Sequence, residues 1–290
     1  MSYWIYADIG SDLPKSFADK YEQFVVLPQP YRLNGAEDFY KLGDEAGMDA
    51  FYQKLKGGAQ SSTSQITAQT FQDAFLPHVL KGEEILYIGL SSGISGSFQS
   101  AVLARNTILE DHPDAKLTLV DSLGASLGFG LLVKYALDNR AGSMSLKDNE
   151  AWLLNNRQRV HHWFTVDDLQ FLFRGGRVSR SSAVLGSVLQ IKPIMNVNRE
   201  GKLVPLEKVQ GRKRSLKELA QKAITLSSPK EGQAVFISHG GCKEDAQMLA
   251  NLVRQEWPQV EEFFLSPVGA VIGSHSGPGT VAIFFLGDER

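Results

Sequence analysis

The sequence predicts an α/β protein of two domains, an N-terminal parallel-sheet α/β/α domain over residues 1–158 and a C-terminal mixed α+β sandwich over 159–290. Three observations predict it. Short apolar stretches in the first half alternate with helical ones through loops of Ser and Gly, the pattern of a parallel sheet covered by helices. From about residue 145 the texture changes to a charged amphipathic helix and then to strands and helices in mixed order. The length, 290 residues, suits roughly two domains of ordinary size.

In chain order, residues 3–7 read as a strand, and Asp12 is expected to cap a helix with Pro14 in its first turn, where a missing amide donor costs nothing. Residues 54–64 form a polar Gly- and Ser-rich loop leading to a helix over about 67–80. A buried-looking strand at 84–90 precedes a loop at 91–96 and a helix over about 97–110. A strand at 116–120 runs through residues 121–130 into another helix. Ligands of such sheets bind at the C-terminal ends of the strands. The second half starts with the amphipathic helix, a strand at 163–166 and a helix ending in Arg174-Gly175-Gly176-Arg177. Strand-like runs at 193–198 and 203–209 flank the turn Arg199-Glu200-Gly201-Lys202, a hairpin pattern. A helix near 216–225, a strand at 233–238, a helix near 244–257 and strands at 261–265 and 281–286 complete the chain.

Composition narrows the function. With 32 acidic against 30 basic residues there is no overall positive charge for gripping nucleic acid. No window approaches the roughly 18 apolar residues of a membrane span, and the start carries Asp8 and no basic leader region, so a cytoplasmic protein is expected. The single cysteine, Cys242, can form neither an internal disulfide nor a thiolate zinc site, in keeping with a reducing compartment. Standard nucleotide loops are absent, and no metal-ligand spacing occurs. The pair His161-His162 would point to opposite faces of a strand and reads as structural.

Three segments place hydroxyls and glycines just before helices: residues 61–67, 91–97 and 122–130. Helix starts offer free amide donors and partial positive charge, so such loops suit a carboxylate or phosphate; the alternative is that these Ser and Thr residues only cap helices. Gly89-Leu90-Ser91-Ser92-Gly93 also matches G-x-S-x-G, with Ser91 as a hydrolase nucleophile. Against that reading, Ile94-Ser95-Gly96 lengthen the turn, and the only His-Gly-Gly run, at His239, comes after the serine where a lipase motif would precede it. His275 lies in a Gly/Ser/Pro-rich segment expected to form a tight loop, where an imidazole could contact an acidic head group. Residues 174–214 hold ten bases against two acids, a patch that could dock an acidic partner or phosphates, or simply face solvent.

Taken together, these segments resemble the DegV family of bacterial lipid-binding proteins. Asp8-Ile9-Gly10-Ser11-Asp12-Leu13-Pro14 resembles the family's D-S-x-x-D-L-P opening, and Thr63-Ser64-Gln65 its T-S-Q loop. Ser91-Ser92-Gly93-Ile94-Ser95-Gly96-Ser97-Phe98-Gln99-Ser100-Ala101 is similar to its S-S-x-L-S-G-T-Y-x-S-A signature. Leu172-Phe173-Arg174-Gly175-Gly176-Arg177-Val178-Ser179, Ile191-Lys192-Pro193-Ile194, Gly211-Arg212-Lys213-Arg214 and His275-Ser276-Gly277-Pro278-Gly279 come next, in the family's order. Departures are Ile66-Thr67 where Pro-Ser is common, Ile9-Gly10 where Ser-Thr is common, and Ser276 for Thr.

The resemblance implies two α/β domains with one long-chain fatty acid buried between them, and no cofactor. It implies a non-catalytic subunit of fatty acid kinase, whose separate partner holds ATP and Mg and phosphorylates the presented carboxylate. The carboxylate ligands would be Thr63, Ser64, Ser92, Ser95 and His275, with Gly93, Gly96 and Arg174 in support, while Arg212 and Arg214 would dock the kinase. Two other functions are open: a serine esterase using Ser91, and a small ketone or sugar binder, because the fold is similar to the substrate subunits of dihydroxyacetone kinases.

Overall fold

A computed structural model describes residues 3–179 and 190–290; Arg180, one of the ten bases in the basic stretch, lies outside them. The first half holds β1 (Trp4–Asp8), a single 3-10 turn (Ile9–Ser11), α1 (Lys15–Ala18), β2 (Phe24–Leu27), β3 (Pro30–Leu33), β4 (Ala36–Phe39), α2 (Glu45–Lys56), β5 (Ser61–Thr63), α3 (Ala68–Val79), β6 (Ile85–Gly89), α4 (Ser97–Asp111), β7 (Leu117–Asp121), α5 (Ser126–Ala141) and α6 (Leu146–Asn156). The second holds β8 (Val160–Thr165), α7 (Gln170–Arg174), β9 (Ile191–Val197), β10 (Leu203–Gln210), α8 (Arg212–Leu226), β11 (Ala234–His239), α9 (Lys243–Glu256), β12 (Glu262–Pro267), α10 (Ala270–Ser276) and β13 (Val281–Leu286).

A parallel sheet runs β2-β1-β6-β7, and a mixed six-stranded sheet runs β10-β9-β8-β13-β11-β12. The hairpin of β9 and β10 forms as expected, with Leu203 opposite Val197. Helix α5 explains how the sheets join. Its residues Leu127, Phe129, Leu131, Leu132, Val133 and Leu137 are all buried, and a helix apolar all round must be covered on every side. It packs on β1 of the parallel sheet and on β8, β11 and β13 of the mixed one. One continuous apolar cluster therefore runs from Ile5 and Ile88 through Phe129 to Phe236 and Phe284. The outer face of the parallel sheet is closed by α3 and α4, and the outer face of the mixed sheet by α8 and α9.

Three local expectations are corrected. Residues 54–64 are not all loop, because Ser61–Thr63 is β5, an edge strand of a small antiparallel sheet ordered β4-β3-β5. His275 sits in the last turn of α10, which the Gly/Ser/Pro-rich segment was expected to replace with a loop. Asp12 caps no following helix. It ends the 3-10 turn at φ 51°, and its buried carboxylate accepts from Ser126 Oγ at 2.5 Å and from Gly269 N at 3.0 Å. That position pins the start of α5 and the start of α10 to one point. Asp8 performs the capping instead, accepting from Gly10 N, Leu90 N and the Tyr87 hydroxyl.

Burial pushes the carboxyl of Asp8 up to about 6 and that of Asp12 up to about 7. The unfolded chain releases these protons near the ordinary Asp value of about 4. Between about pH 4 and 7 the folded protein thus holds more protons than the unfolded chain, so stability falls as pH rises through that window and levels off above it. Asp12→Asn is expected to flatten the upper part of this slope in thermal melts recorded against pH; an unchanged slope would contradict the assignment.

Candidate functional site

The cavity lies where the loops at the C-terminal edge of the parallel sheet meet the inner face of the mixed sheet, and about 80 Å³ of it is open to the centre of a water molecule. Its walls are mostly apolar, with Phe164, Leu172, Val271, Ile272, Ala282 and Phe284 prominent. Their alternation explains this: Phe164 and Ala282 are register partners on β8 and β13, so they share the face turned toward α5.

Polar groups gather on one wall. Thr63 at the end of β5, Ser95 in the loop before α4, and His275 on α10 all line the cavity, and Thr63 Oγ1 lies 2.7 Å from His275 Nε2. Contacts of α10 with β3 and β5 bring Thr63 and His275 together. Ser95 is held by its own turn, accepting from Ser97 N at 3.2 Å and bonding Ser97 Oγ. Burial, with the nearby charge of Arg177, pushes the His275 imidazole down to about 4, so it is neutral near pH 7. Its Nδ1 is buried without a hydrogen-bond partner among the described residues.

Outside this wall lies a second, more polar hollow, with about 280 Å³ open to the centre of a water molecule, that shares Thr63, Arg177 and His275 with the cavity and adds Ser62, Arg174 and Ser274. The three shared residues therefore stand between an apolar interior and a polar vestibule.

The remaining expected site residues divide. Ser64 and Ser92 are exposed and do not line the cavity; the Ser64 amide is spent on Pro30 O and the Ser92 amide on Asp121. Gly93 and Gly96 shape the loop. A Cβ on Gly93 would meet the backbone oxygen of Glu200 at 2.5 Å, so that position needs glycine for close packing, whereas one on Gly96 would meet only the amide end of the Gln65 side chain, which can move aside. Arg174 is exposed, lies over the Phe171 ring at 4.7 Å and lines only the vestibule. Arg177 is the arginine that reaches the cavity. Its Nε donates to Ile94 O at 3.0 Å and its guanidinium also bonds Gly175 O, tying the α7 turn to the loop that carries Ser95. The family pattern L-x-R-G-G-R contains both arginines, and only the turn at Gly176, with φ 73°, decides which one points inward.

Arg212 is committed within the chain, with Nε 2.9 Å from Asp245 and NH1 3.7 Å from Asp167, whereas Arg214 is exposed. Lys192 also pairs with Asp167, at 2.7 Å. The basic stretch is thus partly neutralised by acids outside it. His161 bonds Asp288 O and stacks on Phe285; His162 is buried in the cavity wall, where its Nε2 accepts from Ala125 N. Among the described residues no cluster of three or more His, Cys, Asp or Glu side chains is placed to hold a metal.

Ser91 does not have a nucleophile's surroundings. It is fully buried, its hydroxyl donates to Gly201 O at 2.9 Å, and the same oxygen accepts from Gly93 N. No histidine or carboxylate bonds it among the described residues. An activated serine needs a base in hydrogen-bond reach. A fluorophosphonate probe is expected to leave the protein unlabelled, and stoichiometric labelling at Ser91 would restore the esterase reading.

A family model described as an uncharacterised protein of the DegV family matches residues 3–288. A DegV domain-containing protein of Clostridium perfringens is 40% identical over 99% of this chain and 98% of its own length. The structure of a DegV lipid binding protein from Thermotoga maritima is similar at a TM-score of 0.86 with 26% identity, covering 100% of both chains. A DegV family protein from Thermus thermophilus, described by its fatty acid binding, is similar at 0.86 with 29% identity over 99% of this chain and 100% of its own.

Proposed function

This chain belongs to the DegV family, and from that premise we propose that it binds a long-chain fatty acid between its 1–158 and 159–290 segments and presents the carboxylate to a separate ATP-binding kinase subunit. The observation that carries the reading is an apolar cavity whose polar wall joins Thr63, Ser95 and His275 beside a polar vestibule. The similar proteins from Thermotoga maritima and Thermus thermophilus, a lipid binder and a fatty acid binder, support the acyl part.

The physics fits both ends of such a ligand. Each methylene taken from water contributes about 0.8 kcal/mol, so a tail of roughly a dozen carbons supplies ample affinity without polar contacts. Burying the carboxylate is costly unless donors replace its water. The Ser95 hydroxyl donates to it, and the Thr63–His275 pair supplies one more donor without adding a buried charge: neutral His275 has a single ring proton, so either Nε2–H donates to Thr63 and the Thr63 hydroxyl to the carboxylate, or Thr63 donates to Nε2 and Nδ1–H to the carboxylate.

Phosphoryl transfer then asks little chemistry of this chain. A carboxylate oxygen attacks the γ-phosphorus of ATP held with Mg on the partner, the bond from that phosphorus to the β–γ bridging oxygen breaks, ADP leaves, and an acyl phosphate forms. The chain orients the nucleophile and keeps the tail out of water. The vestibule supports this step, since a donor can approach the head group there while the tail stays buried. Arg214 and Arg174, both exposed, are the docking cations this reading favours; Arg212 is tied to Asp245 and Asp167.

Solvent extraction of protein freshly purified from bacteria, with mass spectrometry of the extract, tests the acyl reading. Stoichiometric long-chain fatty acid is expected. Protein that carries none and takes up none when offered would overturn it.

A further inference from the structure

The cavity wall carries polar groups that the carboxylate site does not use. Ser238 ends an alternating run on β11, sharing a face with Ala234 and Phe236, and is the register partner of Ala282, itself the partner of Phe164. On its other side Ser238 is the register partner of Ser266 on β12, so the row carries two serines beside its apolar members. Ser238 Oγ lies 3.1 Å from Ser126 Oγ, and both are buried in the cavity wall. With Asp12 ionised, Ser126 donates to it at 2.5 Å and the Ser238 hydroxyl in turn donates to Ser126. The lone pairs of Ser238 Oγ then take no other hydrogen bond among the described residues.

A second observation points the same way. Gln29 is 3% exposed and lines the same cavity, and among the described residues its Oε1 has no hydrogen-bond partner; the Ser276 hydroxyl, also lining it, has none among them either. Buried acceptors without donors cost stability, and a tail made only of methylenes answers neither Ser238 nor Gln29.

We infer that the cavity is built for a long-chain acid bearing a hydroxyl group along its chain, donated to Ser238 Oγ or Gln29 Oε1. This rests on the fatty-acid reading above and narrows its ligand class. A donor is specified, so a hydroxy acid fits where the matching keto acid, an acceptor, does not satisfy these two oxygens. A site built around a substrate hydroxyl disfavours the analogue lacking it, because its polar groups are then left unpaired.

Displacement of a bound fluorescent fatty acid by octadecanoic acid, by its mid-chain monohydroxy derivatives and by the matching keto acids provides the test. Relative to octadecanoic acid, at least one hydroxy isomer is expected to bind wild-type protein roughly three- to tenfold better than it binds Ser238→Ala or Gln29→Leu, the size of one net hydrogen bond. The keto acids are expected to gain nothing from Ser238, whose proton is spent on Ser126. The two positions are altered separately, so one misfolded variant leaves the other to decide. Equal ratios in wild type and in the folded variants would overturn the inference, as would a loaded structure in which ordered water satisfies both oxygens and the acyl chain passes elsewhere. Tight octadecanoic acid binding without hydroxyl preference removes this inference alone; no binding of any acid removes the proposed function with it.

Discussion

Thr63→Ala is expected to weaken long-chain fatty acid binding by roughly 1–3 kcal/mol, or about fivefold to more than a hundredfold, the cost of leaving a buried carboxylate short of one donor. The substitution also strips His275 Nε2 of its partner at 2.7 Å, so the imidazole loses its fixed orientation at the same time. Ser95→Ala removes a different donor on the same wall and is expected to cost a similar amount, and because both serve one carboxylate, the double variant should lose less than the sum. Isothermal titration with a single fatty acid, on variants whose melting temperatures match wild type, reads these changes. Unaltered affinity in both would place the head group elsewhere.

Ala282→Phe is expected to reduce copurifying lipid sharply. Ala282 is 5% exposed and sits on the cavity floor between Ser238 on β11 and Phe164 on β8. A benzyl group there takes the space of several methylenes. Excluding three of them forfeits about 2.4 kcal/mol at about 0.8 kcal/mol each, a loss of well over tenfold in affinity. Because the ring enters a cavity, the overpacking cost to the fold should lie at the low end of about 1–3 kcal/mol. Extracted lipid per mole of protein, measured beside the melting temperature, checks this. A variant that remains folded and fully loaded would mean that the acyl chain does not occupy this space.

Both variants depend on residues far apart in sequence, and the sequence exposed some of them better than others. The strand–loop–helix rhythm of the parallel sheet was readable because strands such as Ile85–Gly89 are continuous apolar runs and Thr67 caps its helix with a side-chain hydrogen bond to Thr70 N. The resemblance to a family then singled out Thr63, Ser95 and His275 from three separated segments, and the fold brings these three to one cavity.

Other features were hidden for physical reasons. β4, Ala36–Phe39, is exposed throughout and carries two adjacent acids, and β5 is three hydroxyl residues; neither has the apolar alternation that marks a strand. α10 has only seven residues, and its second half, Gly273-Ser274-His275-Ser276, runs into Gly277-Pro278-Gly279, so it reads as a loop. Asp12 precedes Leu13-Pro14 and so looks like a helix cap, yet its left-handed backbone turns the carboxylate inward. Arg174 and Arg177 stand on either side of a two-glycine turn, and residue type alone does not tell which of two identical side chains enters the cavity. Ser64 and Ser92 share hydroxyl chemistry with their neighbours Thr63 and Ser91 but point the other way, which spacing in a loop cannot reveal. The cavity lining was invisible, since Phe164, Ala282 and Phe284 have the pattern of ordinary packed strand residues.

The most direct test is a crystal structure of the protein loaded with a long-chain fatty acid. The carboxylate should lie within hydrogen-bond distance of Thr63 Oγ1, Ser95 Oγ and His275, with the tail against Phe164, Ala282 and Phe284. An acid bound on the outer surface, or one whose head group sits among the apolar side chains with its tail in the vestibule, would contradict the account.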